Sequence, residues 1–233
     1  MNFSTISAWE NYVGQRFAEL KSAFPNTISA DDPRVIAIKS VRTSWHGLKV
    51  LDIGCGKGRY EEHFEAWGAN YIGIDLSAEF LNTGRRNHSK VIGSGLHLPF
   101  ADNSFDTVLL IETIQHSPAA EIAMENAIRC VRQGGSIIVI ERNPFALSSD
   151  WPIVPAVFVK WLDQYRGRWM YPHRCGVRER WIMPWQLKHQ LKGTFAKTDV
   201  TFYGSLEQYE TAFQKLLPVF RPFYCIYATK MVD

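Results

Sequence analysis

The sequence predicts a doubly wound α/β fold in a single domain (residues 1–233), with a mostly parallel seven-stranded sheet and an antiparallel edge strand. Three observations predict it. Between residues 49 and 140, short apolar runs alternate with amphipathic stretches, the pattern of βαβ crossovers. The first run is closed by glycines at 54, 56 and 58 before a helical stretch begins. Two late β-like segments, 198–203 and 223–229, suit antiparallel pairing at one edge of the sheet.

Residues 1–46 read as an N-terminal helical cover. Ile6, Trp9, Val13, Phe17, Leu20 and Phe24 recur at helical spacing up to Pro25, and Asp32-Pro33 supplies a cap and a first-turn residue for a second helix. The core spans 47–143, with strands expected at 50–53, 71–75, 91–92, 105–111 and 136–140. Between them, helices are expected at 59–67, from Ser77 onward, and from Ser117-Pro118 to Val131. The alternation then lapses over 144–197, too long for a structureless loop, so this segment is expected to be a helical lid insertion. Within it, Pro184 to Lys192 reads as a helix, and residues 198–233 supply the last two strands.

Composition narrows the class. A hydrophobic content of 46% over 233 residues suffices for one buried core, and 21% charged residues with a net charge of +3 indicate neither disorder nor a polyanion-seeking surface, so nucleic acid is not implied. The four scattered cysteines have no C-x-x-C pair, and reduced thiols are expected. Met1 to Thr5 lacks a basic region followed by an apolar run, and the most apolar stretch, Trp151 to Leu162, is broken by Pro155 and Lys160. A cytoplasmic protein is expected. Seven histidines show no ligand spacing, and no metal site is expected.

The chemistry centres on Val50-Leu51-Asp52-Ile53-Gly54-Cys55-Gly56-Lys57-Gly58. Its glycines let the chain turn sharply from strand to helix and let a ligand lie against bare backbone at a helix N-terminus. Asp75, closing the second strand, stands where a carboxylate can accept from both hydroxyls of a ribose. A dinucleotide fingerprint would need glycine at 59, where the residue is arginine, and a P-loop would need Ser or Thr after Lys57, where Gly58 follows. The G-x-G-x-G form, with Gly73-Ile74-Asp75-Leu76-Ser77 and the run Leu98 to Asp106, resembles the class I, Rossmann-like S-adenosylmethionine-dependent methyltransferases of the small-molecule and lipid type. The likeness covers residues 48–141. It implies S-adenosyl-L-methionine as cofactor, with the methionine moiety over Asp52, Gly54 and Gly56 and further cofactor contacts at Cys55 and Gly58. It further implies the ribose and adenine at Asp75 and Leu76, the adenine ring against Ser94-Gly95-Leu96, and Ile111 with Glu112 beside the methyl group. That family usually carries an acidic residue where this chain has Ser94.

His116 and Glu112 follow the fourth strand at the sheet's C-terminal edge and are the candidate bases, His116 first, should the acceptor be a hydroxyl. Tyr12 and Tyr203 are candidates to close the cleft on the acceptor. The lid carries nine Lys/Arg against three Asp/Glu and five of the eight tryptophans, which suits an acceptor with an apolar body and negative charge, or peripheral contact with a membrane surface. Arg178 and Arg180 are its candidate anion-binding residues. Two other readings stay open: a non-catalytic subunit that binds S-adenosylmethionine, and an RNA-directed methyltransferase using the lid's aromatic rings for stacking.

Overall fold

The computed structural model describes residues 3–83, 89–147, 154–166, 179–204 and 212–232. Seven strands form one sheet in the order β3-β2-β1-β4-β5-β7-β6. β1 (Lys49–Ile53), β2 (Asn70–Asp75), β3 (Lys90–Ile92), β4 (Phe105–Ile111) and β5 (Val131–Arg142) run parallel. β7 (Phe223–Lys230) runs against both β5 and the outermost strand, β6 (Phe195–Tyr203), so the reversed strand lies one place inside that edge.

Burial on both faces explains why the central strands read as continuous apolar runs. Leu51, Ile53, Val108, Leu110, Ile137 and Val139 point to one face, under α5 (Ala120–Cys130) and α7 (Pro184–Leu191). Val50, Leu109, Ile111, Ile138 and Ile140 point to the other, under α2 (Pro33–Ser40) and α3 (Glu61–Ala66), where Trp45 and Phe64 complete the packing. The cover begins with α1 (Phe3–Glu19), and α4 (Ala78–Thr83) follows β2. Two further helices, α6 (Ala156–Tyr165) and α8 (Ala212–Leu216), lie in the second half of the chain.

Several boundaries differ from expectation for local reasons. α1 stops at Glu19, and a 3₁₀ turn at Lys21–Ala23 carries the chain to Pro25. The helix expected from Ser117 starts at Ala120, because Pro118 holds Ser117 extended (ψ 136°) and a separate 3₁₀ turn, Ile114–His116, precedes it. β5 reaches back to Val131, which pairs with Phe105 across a register shift, so Gly134-Gly135 lies within a strand instead of closing a helix. Of the lid, α6, α7 and Glu179 to Met183 are described; Arg178 lies outside the described residues.

Candidate active site

The C-terminal ends of β1, β2, β4 and β5 open onto one pocket of about 700 Å³, roofed by α1 and the segment after it. Gly54 makes the turn out of β1 at φ 73°. A Cβ there would come within 2.3 Å of the Thr113 side chain, so the close approach of the β1 and β4 loops requires glycine. Gly56 follows at φ 57°, and its N–H donates to Asp75 Oδ2 at 2.7 Å, while the Ser77 N–H donates to Oδ1 at 2.8 Å. Asp75 is thereby fixed at the mouth of the loop, and each oxygen keeps a lone pair for a ligand hydroxyl.

Asp52, Gly54, Cys55, Gly56, Leu76, Gly95, Leu96 and Ile111 all line the pocket, whereas Gly58 and Ser94 do not. Gly58 instead clears the buried Lys90 side chain, which a Cβ would meet at 2.6 Å. Cys55 packs under the loop against Gly73, and burial pushes its thiol well above the ordinary range, so it is a filler and not a nucleophile. Ser94 donates its hydroxyl to Glu10 of the cover and caps Leu96 N at 2.9 Å. Glu10 lines the pocket, so a carboxylate reaches this turn from another part of the chain.

Asp52 is a strongly perturbed carboxyl facing the loop. Burial pushes its carboxyl up to about 7, Asp75 adding to the shift, while the Tyr71 hydroxyl donates to it at 2.6 Å and Arg59 favours its charge. A ligand cation would hold this carboxyl ionised. The pocket therefore offers a glycine cradle, a ribose-type acceptor at Asp75 and an acid in need of a cation at Asp52. This donor set fits S-adenosylmethionine.

Across the pocket, Glu112 sits in the left-handed region (φ 51°), uncommon for a residue with a side chain. The turn is held by Glu141, whose Oε1 accepts the N–H groups of Thr113 (3.0 Å) and Ile114 (2.8 Å). Glu112 accepts from Arg34 at 2.6 Å and from Arg142 at 3.1 Å, and Arg34 also forks onto both oxygens of Asp32 at 2.9 Å. The Arg142 and Arg34 guanidinium groups hold the Glu112 carboxyl below its usual range in spite of burial. An anion so held is a poor proton acceptor, which favours a positioning role over the base role expected of Glu112.

His116 also lines the pocket, edge-on to Phe17 at 5.0 Å between centroids, with Gln115 Nε2 at 3.2 Å from its Nε2. Burial pushes it down to about 4, so the ring is neutral near pH 7 and weakly basic. Of the expected acceptor contacts, Tyr12 packs with Val13 inside the cover and does not line the pocket, where Val13, Gly14 and Phe17 do. Arg180 donates to Pro118 O and to Glu121, tying the lid to the start of α5, and it is the neighbouring Glu179 that enters the pocket. Tyr203 lies beside the pocket, stacked on Phe223. Glu10, Arg34, Arg59, Arg142 and Glu179 were not foreseen. Arg142, at the end of β5 on the ligand-binding edge, carried the one positional signal that could have found it.

Residues 51–139 match the family described as a methyltransferase domain. Over this stretch the chain carries a methyltransferase domain, and it has the fold of class I, S-adenosylmethionine-dependent methyltransferases. It is 30% identical over 112 residues to a fatty-acid O-methyltransferase of Mycolicibacterium smegmatis, covering 45% of this chain and 41% of that one. It is 30% identical over 154 residues to a ubiquinone biosynthesis O-methyltransferase of Rhizobium etli, covering 62% and 58%. The chain thus spans about half the length of these relatives. A SAM-dependent methyltransferase of Thermotoga maritima, described as a possible histamine N-methyltransferase, shares the fold at a TM-score of 0.63 and 18% identity, over 96% of this chain and 99% of that one. Among the described residues of the methyltransferase domain, no group of His, Cys, Asp and Glu side chains could hold a metal ion, and no helix is long and apolar enough to cross a membrane.

Asp52 is expected to make cofactor binding depend on pH. Below about 7 its carboxyl is protonated and must lose that proton to meet a cation, so S-adenosylmethionine affinity is expected to rise several-fold between pH 6 and 7.5. Titration calorimetry on wild type and Asp52→Asn checks this. An equal slope in the variant would remove Asp52 from the linkage.

Proposed function

We propose that this chain transfers the methyl group of S-adenosylmethionine, in the cytoplasm, to a small lipid-like acceptor that carries negative charge. The observation that carries this reading is a single pocket lined both by the cofactor's donor set and by three arginines, Arg34, Arg59 and Arg142. The names of the two relatives, one for a fatty acid and one for ubiquinone biosynthesis, support an acceptor of this class. When bound, the cofactor supplies a methyl group already activated by its sulfonium. The chain then has to orient an acceptor in line and exclude water, which can supply roughly 7–11 kcal/mol without a base. Phe17, Phe24 and Phe80 pack ring on ring over the pocket and shut out water. For a hydroxyl acceptor, neutral His116 remains the nearest candidate to receive its proton; a carboxylate acceptor needs none.

A lipid-like acceptor also fits the surface of the lid. Phe158, Trp161, Leu162 and Tyr165 form one face of α6 at helical spacing, and the three rings are 63%, 64% and 66% exposed. Such a face suits a membrane interface. Incubation with methyl-labelled S-adenosylmethionine and a panel of fatty acids, hydroxybenzoates and a metabolite extract tests the reading. A labelled organic product is expected, in higher yield when a long-chain acceptor is presented in vesicles. Cofactor binding with no labelled product from any of them would favour a non-catalytic binding subunit.

A further inference from the structure

The three arginines of the pocket are not equivalent. Arg34 is spent on Asp32 and Glu112, and Arg142 on Glu112. Arg59 lies over the Tyr60 ring at 5.9 Å and makes no hydrogen bond or ion pair with any described residue. Glu179 also lines the pocket but is opposed by Lys160 at 3.8 Å. Of the three, Arg59, directly after the cofactor loop, is the one with no bonded carboxylate among the described residues; Asp52, Asp32 and Glu112 feel its charge only at longer range.

Two hydroxyls in the same region, those of Tyr60 and Tyr203, are buried with no hydrogen-bond partner. Tyr60 lines the pocket. Tyr203 stacks on pocket-lining Phe223 at 5.6 Å between centroids, and Arg34 lies over that same ring at 5.6 Å. Tyr60, Glu112 and Arg34 are all within electrostatic reach of the Tyr203 oxygen. Burial holds both phenols far above their ordinary range, so each remains a donor at physiological pH. A buried donor with no acceptor is costly and rare in a finished interior, and an anion removes the deficit.

We infer that Arg59, with the hydroxyls of Tyr60 and Tyr203, forms a subsite for one singly charged oxygen group of the acceptor, a carboxylate or phenolate. The fixed fork of Arg59 matches a carboxylate, and one guanidinium with two neutral hydroxyl donors suits a monoanion better than a phosphate dianion. The subsite rests on the methyl-transfer reading for what the anion belongs to, but its existence is open to test by binding alone.

The test is calorimetric titration of the protein loaded with S-adenosylhomocysteine, using dodecanoate, 4-hydroxybenzoate and the carboxyl methyl ester of each. At least one acid is expected to bind saturably and at least tenfold tighter than its ester. Arg59→Gln is expected to collapse that ratio to about one and Arg59→Lys to restore part of it. Tyr60→Phe and Tyr203→Phe are expected to lower it three- to tenfold. Equal binding of acid and ester, no saturable binding of either acid, or a ratio untouched by Arg59→Gln overturns the subsite. An acid preference that depends on Arg59, without methyl transfer to either acid, would keep the subsite and remove the methyl-transfer reading. Transfer to neutral acceptors with no acid preference would do the reverse.

Discussion

Asp75→Ala is expected to weaken S-adenosylmethionine binding by roughly a hundredfold or more and to erase most of the thermal stabilisation the cofactor gives. Both Asp75 oxygens are already oriented by backbone donors, Gly56 N and Ser77 N, so the carboxylate meets two ribose hydroxyls without reorganising. A hydrogen bond to a charged acceptor contributes about 1.5 kcal/mol or more, and two such bonds lost together amount to ~3 kcal/mol, about two orders of magnitude in affinity. With cofactor at about 100 times the wild-type dissociation constant, the wild type gains ~2.7 kcal/mol of stability and the variant only ~0.4 kcal/mol. Thermal melts with and without S-adenosylmethionine, and with NAD as control, read this directly. Wild-type stabilisation retained in Asp75→Ala would move the ribose contact elsewhere, and equal stabilisation by NAD would sink the cofactor assignment. Asp75→Asn, which keeps one acceptor oxygen, is expected to fall between the two.

Asp75 and the glycine loop were legible because their signal is local. Strand, turn and helix follow one another within a few residues, and a glycine is forced wherever the backbone must turn left-handed or Thr113 must come close. The seven strands were legible for the same reason, through runs buried on both faces. Helix starts were less so: Pro118 moved the start of α5, and the pairing of Val131 with Phe105 extended β5 backward, since both depend on what the segment meets. The charged groups not foreseen in the pocket are a meeting of positions 10, 34, 59, 142 and 179 with Glu112, which no periodicity connects. Lys57 illustrates the limit. It lies inside the cofactor loop, and nothing in the sequence tells that its Nζ donates to Phe24 O at 2.7 Å and Asn26 Oδ1 at 2.8 Å, pinning the cover to the loop. Basic residues concentrated in the lid suggested the anion site there. Among the described residues, the Arg180 guanidinium holds the lid to α5, and the arginines that line the pocket are Arg34 of the cover, Arg59 after the cofactor loop and Arg142 at the end of β5.

Glu112→Gln is expected to destabilise the protein by about 3 kcal/mol and lower its melting temperature by roughly 6–12 °C. Glu112 and Arg34 are only 14% and 19% exposed, and the amide would leave Arg34 with Asp32 as its one carboxylate and Arg142, itself 39% exposed, with a neutral acceptor. Removing one partner of a buried pair costs this much because the other stays desolvated and uncompensated. The sign with pH follows from the lowered carboxyl. Its contribution is fully present above the ordinary value of 4.5 and is lost as pH falls through the lower folded-state value, so the gap between wild type and variant should hold at neutral pH and close in acid. A positioning residue is expected to raise KM for an anionic acceptor and to leave the shape of the pH–rate profile unchanged, because Arg34 and Arg142 lose their alignment while no proton acceptor is removed. Unchanged stability, together with a loss of more than a hundredfold in kcat and of the profile's acid limb, would instead make Glu112 the base.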